Sequence, residues 1–252
     1  MIEIKDLSCQ LGDRYVLDHV SCSFGDGLVT AVIGPNGSGK TTLLRHLTRT
    51  YPSQGRIKID GVPLETLSSR QLARNLAVLE QDAMLLGADF TASDLVVMGR
   101  YAQRGFGRAY EADDFGFAEA ALARVGLEGF GSRRVSDMSG GERQRVMLAR
   151  VLCQDAAALV LDEPMNHLDP AHALAVAALL RQEKKTTAVV IHDLNLASLV
   201  ADRILALEDG RVAGYGTPAE LLTAPFVKKL FGVDAAVTLF DGRPHLAFRL
   251  PG

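Results

Sequence analysis

Long apolar runs are missing from this sequence: no uninterrupted stretch approaches the ~20 residues that a membrane-spanning helix needs. The opening "MIEIKDLSCQ" has no apolar signal region either, so the chain is expected to stay in the cytoplasm and to meet a membrane only through a partner. Cysteine is scarce. Cys9, Cys22 and Cys153 are odd in number, fall within strand or helix patterns and lack metal-ligand spacing, so they read as reduced core thiols. There is no basic excess: 27 Lys+Arg stand against 30 Asp+Glu for a net charge of −3, which removes the general footprint of a nucleic-acid binder. Repeats and low-complexity tracts are absent. What remains, 48% hydrophobic and 23% charged residues over 252 positions, is the composition of a globular chain with one large domain, or a domain with a sub-domain.

The order of patterns divides the chain. "IEIKDLSC", "VLDHVSCSF" and "LVTAVIG" read as strands with turns at Gly12-Asp13 and Gly25-Asp26-Gly27, an antiparallel layer feeding one buried strand. "KTTLLRHLTR" is helical in period, "GRIKIDG" is a short strand turning at Asp60-Gly61, and "NLAVLEQD" is another strand. From about Thr91 to Leu152 the period becomes helical. Beyond it, "AALVLDEP" and "TTAVVIHD" are apolar runs, each followed by a helical pattern, as βα units of a parallel sheet require. Asp209-Gly210 between two strand-like runs signals a hairpin.

"AVIGPNGSGKTTLL" fits G-x-x-x-x-G-K-T between a strand and a helix. Phosphate oxygens need closely packed donors. In the loop Gly34-Pro35-Asn36-Gly37-Ser38-Gly39-Lys40-Thr41-Thr42, Gly37 and Gly39 let the backbone N–H groups curl into an anion nest, and the helix start adds partial positive charge. Lys40 is suited to the terminal phosphates, and the Thr41 hydroxyl to Mg²⁺. Asp162 and Glu163 follow "AALVL", at the carboxyl end where open α/β sheets hold ligands. Asp162 is expected to orient the Mg²⁺ shell and Glu163 to polarise the attacking water. His192 ends "TTAVVI" on the same edge and is assigned to the γ-phosphate or the water, while Gln81 ends "NLAVLEQ" with an amide suited to Mg²⁺ or water. Tyr15 is either a base-stacking aromatic or a core aromatic of its strand.

"DMSGGERQRV" poses a different problem. Ser139 with Glu142 three residues on is a capping box for a helix whose apolar repeat is Val146, Leu148, Ala149 and Leu152. A cap does not explain Gly140 and Gly141, which cost helix stability unless something must approach the backbone closely. Bare N–H groups at a helix start make a second phosphate site. Since the first loop already serves one ATP, this turn is read as facing the ATP of another subunit.

The ordered set "GPNGSGKTT", "LEQD", "MSGGERQRV", "LVLDEP", "NHLD" and "VVIHD" resembles the nucleotide-binding subunit of ATP-binding cassette (ABC) transporters over essentially the whole chain. The resemblance implies an α/β fold of P-loop NTPase type. A RecA-like parallel core with an N-terminal antiparallel β sub-domain spans about 1–88 and 155–252, and an inserted helical sub-domain spans 89–154. It also implies a head-to-tail homodimer with two ATPs sandwiched between one subunit's Walker A and the other's signature. Gln81 then matches the Q-loop, Glu163 the catalytic carboxylate, Asp169 the D-loop, His192 the switch histidine and Tyr15 the adenine-stacking aromatic. "VVMGRYAQR", "HDLNLAS", "GTPAELLT" and "FGVDAAV" are similar to the importer branch that serves iron-siderophores, haem or cobalamin. On that reading the partners are transmembrane permease subunits and, through them, a substrate-binding protein, with the cassette at the cytoplasmic face of the membrane. An exporter ATPase keeps the same chemistry, and a soluble cassette acting on nucleic acid or ribosomes is the reading from another class. Glu142 stands where many relatives have Gln, and Glu80 where Pro is usual before Gln81. Arg100, Arg104 and Arg108, near the expected permease contact, read as a solvated basic face.

Overall fold

The computed structural model describes residues 1–80, 90–104 and 107–250. In chain order its elements are β1 (Ile2–Leu11), β2 (Arg14–Phe24), β3 (Val29–Ile33), α1 (Lys40–Leu47), β4 (Ile57–Ile59), β5 (Val62–Pro63), α2 (Ser69–Asn75), β6 (Leu76–Leu79), α3 (Ala92–Val97), α4 (Tyr101–Arg104) and α5 (Ala112–Arg124). There follow α6 (Gly140–Cys153), β7 (Ala158–Asp162), α7 (Pro170–Gln182), β8 (Thr186–Val190), α8 (Leu194–Val200), β9 (Arg203–Glu208), β10 (Arg211–Gly216), α9 (Pro218–Leu221), α10 (Ala224–Phe231), β11 (Ala235–Phe240) and β12 (Arg243–Phe248). The chain separates into two compact units, one of 1–66 with 180–252 and one of 67–179.

The first unit carries the expected antiparallel layer, in the order β2, β1, β4, β5. Ile2, Ile4 and Leu7 of β1 are buried, and register shifts after Ile4 and Leu7 break the strict alternation. Against this layer the unit sets a parallel core in which β3 pairs with β8 on one side and β9 on the other. Both β3 and β8 are buried at every position, which is why "VTAVI" and "TTAVV" read as continuous apolar runs rather than alternating ones. The β9–β10 hairpin turns at Asp209-Gly210 and the β11–β12 hairpin at Asp241-Gly242, all four residues with positive φ, as a two-residue type I′ turn demands. The second hairpin packs on α8 through Ser198, whose hydroxyl donates to the Pro244 carbonyl at 2.6 Å, and through Asn195, which exchanges two hydrogen bonds with Leu246.

In the second unit β6 and β7 form a parallel pair, and α3, α5 and α6 pack together as a helical cluster. Helix α6 buries Val146, Met147, Leu148, Ala149, Val151 and Leu152, the apolar face its period predicts. Arg145 from the same helix closes the end of α5, its Nη1 donating to the carbonyl oxygens of Val125 and Gly126 at 3.2 Å each. Of the three arginines expected as a solvated basic face near α4, Arg108 is exposed and the other two are not. Arg100 and Arg104 are turned inward to the buried Asp114, at 3.6 and 2.5 Å, and Arg104 also pairs with Glu111 at 2.5 Å. The carboxylates of α5 were far enough away in sequence to hide this pairing. Among the described residues no helix is long and apolar enough to cross a membrane, and all three cysteines are free, Cys153 buried and Cys9 and Cys22 half-buried.

Candidate nucleotide-hydrolysis site

In the first unit the phosphate loop runs from the end of β3 into α1. Gly34 has φ 150°, and a Cβ there would come within 2.2 Å of the Leu207 carbonyl oxygen and 2.7 Å of Ser38 Oγ. Gly39 has φ 101°, and a Cβ would come within 2.7 Å of the Val16 carbonyl oxygen. Both positions therefore need glycine twice, for backbone conformation and for space. The packing reaches further: Gly210 of the β9–β10 turn also lies against Val16, and its N–H donates to the Ser38 carbonyl at 3.2 Å. Strands β2, β3 and β9 thus clamp the loop.

Lys40 is 7% exposed. Its ammonium donates to the Gly34 and Pro35 carbonyl oxygens at 2.8 and 2.9 Å, holding a positive charge inside the loop. Ser38 Oγ is buried with no hydrogen-bond partner. Helix α1 starts at Gly39 without a side-chain cap, so its first N–H groups are not occupied by a side chain of the usual capping kind. A buried ammonium, an unsatisfied hydroxyl and an uncapped helix start together form a cradle for anionic oxygens. Asn36, Gly37 and Thr41 are exposed at its mouth, with Pro35 and Thr42 half-buried.

Two further predicted residues belong to this unit. Val32 of β3 stands opposite Val190 of β8, so Gly34 and His192 each emerge two residues beyond that pair, on one sheet edge. His192 is exposed there, followed by Asp193, which caps α8 by accepting from the N–H groups of Asn195 and Leu196 at 2.8 and 3.0 Å. Tyr15 is 54% exposed. On β2, beside the Val16 that touches Gly39, it is not the core aromatic of its strand.

The second unit holds the other predicted residues. Asp162, 5% exposed, ends the wholly buried β7. Glu163 follows with φ 52°, an uncommon conformation for a non-glycine residue and a mark of local strain. Asn166 Nδ2 donates to the Glu163 carboxylate, its N–H donates to the Glu163 carbonyl at 3.1 Å, and Gln144 Nε2 reaches the same carbonyl at 3.4 Å. Sequence reasoning missed this support; the available signal was an amide three residues after the glutamate. Asp169 accepts from the His172 N–H at 3.0 Å and from its Nδ1 at 2.7 Å, and these bonds hold its carboxyl below the usual range.

The signature turn is a complete capping box. Ser139 Oγ accepts from the Glu142 N–H at 3.2 Å, and Glu142 Oε2 accepts from the Ser139 N–H at 2.7 Å. That bond, with Arg133 at 3.1 Å, lowers the Glu142 pKa. A Cβ at Gly141 would meet the Leu168 side chain and the His167 carbonyl oxygen at 3.4 and 3.5 Å. Around Gly140 a Cβ would meet nothing within 4 Å, and its φ is not in the left-handed region. Gln81, assigned to Mg²⁺ or the attacking water, lies outside the described residues.

The ABC transporter family model matches residues 17–166. The hemin import ATP-binding protein HmuV of Mesorhizobium japonicum is 38% identical over 262 residues, covering 100% of this chain and 98% of the relative. The ferric enterobactin transport ATP-binding protein FepC of Escherichia coli is 35% identical over 238 residues, covering 92% of this chain and 88% of the relative. Among solved structures, a dimeric ATP-binding cassette in a post-hydrolysis state with ADP and phosphate superposes with a TM-score of 0.73 at 26% identity, covering 86% of this chain and 98% of that one. A buried lysine in a glycine cradle, on this fold and with relatives matching end to end, leads to one conclusion: the chain belongs to the ABC transporter family and is one of its ATP-hydrolysing cassettes.

Proposed function

We propose that this cassette powers an importer as a head-to-tail homodimer, docked on transmembrane permease subunits at the cytoplasmic face of the membrane and served indirectly by a substrate-binding protein. The cargo is an iron-siderophore, haem or cobalamin. The observation that carries the dimer is Gly140: its own chain gives no reason for a glycine at a capped helix start with room for a side chain, so the reason is a molecule that comes close to that backbone. Ser139, Gly140, Gly141 and Glu142, with Asp169, then serve the ATP held by the other copy. Support for the importer branch comes from 38% identity to a hemin import protein over the whole of this chain and 35% identity to a ferric enterobactin transport protein over 92% of it.

Within this reading Gly34, Pro35, Asn36, Gly37, Ser38, Gly39, Lys40, Thr41 and Thr42 hold the phosphates, Lys40 neutralises charge on the terminal ones, and Tyr15 stacks on adenine. Glu163 polarises the attacking water, held in position by Asn166, and His192 contacts the γ-phosphate or that water. Thr41, Asp162 and Gln81 are the candidate Mg²⁺ ligands. The hydroxyl, carboxylate and amide oxygens are hard donors of the kind Mg²⁺ selects, and Asp162 is a buried carboxylate suited to a cation, so the set fits. When bound, Mg²⁺ neutralises charge on the phosphate oxygens. The division into a nucleotide-binding core of 1–88 with 155–252 and a helical sub-domain of 89–154 belongs to the same reading. ATP binding favours the closed dimer and hydrolysis reopens it, because ATP has different affinities for the two states.

The test is to purify the chain with its membrane partner, reconstitute both in vesicles and measure ATP-dependent uptake of ferric siderophore, haem and cobalamin. Uptake of one of the three is expected. ATP-dependent efflux, or co-purification with RNA in place of a polytopic membrane protein, would overturn the reading.

A further inference from the structure

In the second unit, the end of α5, the middle of α6 and the first turns of α7 enclose a cleft of about 280 Å³. Its lining is of two kinds. Arg124, Arg145 and His172 supply cationic or proton-donating groups, Ala175, Val176 and Leu179 supply an apolar wall, and no carboxylate among the described residues lines it. Arg145 is 8% exposed, and its Nε is buried with no hydrogen-bond partner although Nη1 is engaged by Val125 and Gly126. Buried donors are normally met by an acceptor, and a guanidinium edge is shaped to take two oxygens at once. The volume falls just under the ~300 Å³ at which pockets for drug-sized ligands begin, so it suits a phosphate or a short dicarboxylate and not a nucleotide.

We propose that this cleft binds a small oxyanion on Arg145 and Arg124, and that the bound anion acts on Asp169 through His172. The wiring is direct. His172 lines the cleft and at the same time holds Asp169 through its N–H and Nδ1, at 3.0 and 2.7 Å. An anion packed beside the ring restrains it in the orientation that holds Asp169, which keeps Asp169 on its own helix instead of offering it across a dimer. Occupancy therefore slows ATP turnover. Binding stands on the cleft alone, whereas the effect on turnover rests on the role proposed for Asp169.

The test uses the full chain saturated with a non-hydrolysable ATP analogue, so that the phosphate loop is filled. Inorganic phosphate and malonate are titrated separately while the Arg145 Nε–H and the His172 ring are followed by nitrogen NMR. Saturable shifts in the millimolar range are expected. Ala175→Met, which fills the cleft without altering a charge, and Arg124→Gln should each weaken binding by about tenfold. A response to phosphate alone identifies the ligand as phosphate, and a response to malonate alone as a carboxylate. If neither anion moves the signals, or Ala175→Met binds like the parent, the site does not exist. In the ATPase assay malonate should slow the parent and leave Ala175→Met unaffected; binding without any change in turnover would overturn the link to Asp169. A parent chain without ATPase activity would defeat the wider functional reading, yet the NMR titration would still report the cleft.

Discussion

The chain contains two glycine-rich helix starts, and they differ in who needs the glycines. At Gly34 and Gly39 the demand is internal: φ is positive, and a methyl group would come within 2.2 and 2.7 Å of backbone oxygens. At Gly140 the surroundings are open and the backbone is ordinary. The first loop is therefore finished by its own fold, with strands β2 and β9 built against it. The second is only capped, and in the dimer proposed above its glycines serve a molecule from outside the chain.

This contrast can be broken by substitution. The largest effect is expected for Gly34→Ala, which places a methyl group on the Leu207 carbonyl in a backbone conformation alanine resists; stability should fall by about 3 kcal/mol and fluorescent-nucleotide binding should vanish. Near-normal nucleotide affinity would show that the loop tolerates side chains and end the argument from space. Next, Glu163→Gln should lower kcat by about 10²- to 10⁴-fold while ATP binding persists and ATP-bound dimers accumulate on size exclusion. Unchanged turnover would remove Glu163 from the water-activating role.

Gly140→Ala probes the open turn. Because the helix start has room, the melting temperature should hold or rise, with a change within about 1 kcal/mol. ATP binding to the single chain should stay normal as turnover falls by about tenfold or more, the loss of one well-placed donor site. If turnover also stays normal, the open turn has no partner and the two helix starts are not complementary.

The smallest effect concerns the cap. Glu142 has a folded-state pKa below its ordinary value of 4.5, first because the Ser139 N–H bonds its carboxylate. The sign follows: this stabilisation is complete above the unfolded value and is lost as pH falls through the lowered folded one. Glu142→Gln keeps an acceptor for the cap but removes that pH dependence. The gap in melting temperature between parent and variant should be less than about 1 kcal/mol in equivalent stability at pH 7 and close as pH drops below 4.5.

Much of the fold was legible because its signals are local. "VTAVI", "ALVLD" and "TTAVV" lie in wholly buried strands, Asp60-Gly61 and Asp209-Gly210 turn where their chemistry requires, and α6 begins at its capping box. What stayed hidden depends on segments distant in sequence. The Leu207 carbonyl that makes Gly34 obligatory lies 173 residues further along, and Asp114, which turns Arg100 and Arg104 inward, sits on a separate helix. Of the candidate site, residue types and their strand ends were readable. The left-handed Glu163, its amide support and the His172 hold on Asp169 were not, because spacing alone does not report φ or the direction of a short side chain.

The β9–β10 and β11–β12 hairpins carry the same Asp-Gly turn, yet they differ as places to alter the molecule. A Cβ at Gly210 would meet the Val16 carbonyl at 2.6 Å, whereas one at Gly242 would meet nothing within 4 Å. A fluorophore or affinity tag spliced at Asp241-Gly242 should leave the nucleotide cradle intact. The same insertion at Asp209-Gly210 would pry the turn from β2 and from Ser38 of the phosphate loop, making an apparently equivalent tip the wrong handle for labelling this cassette.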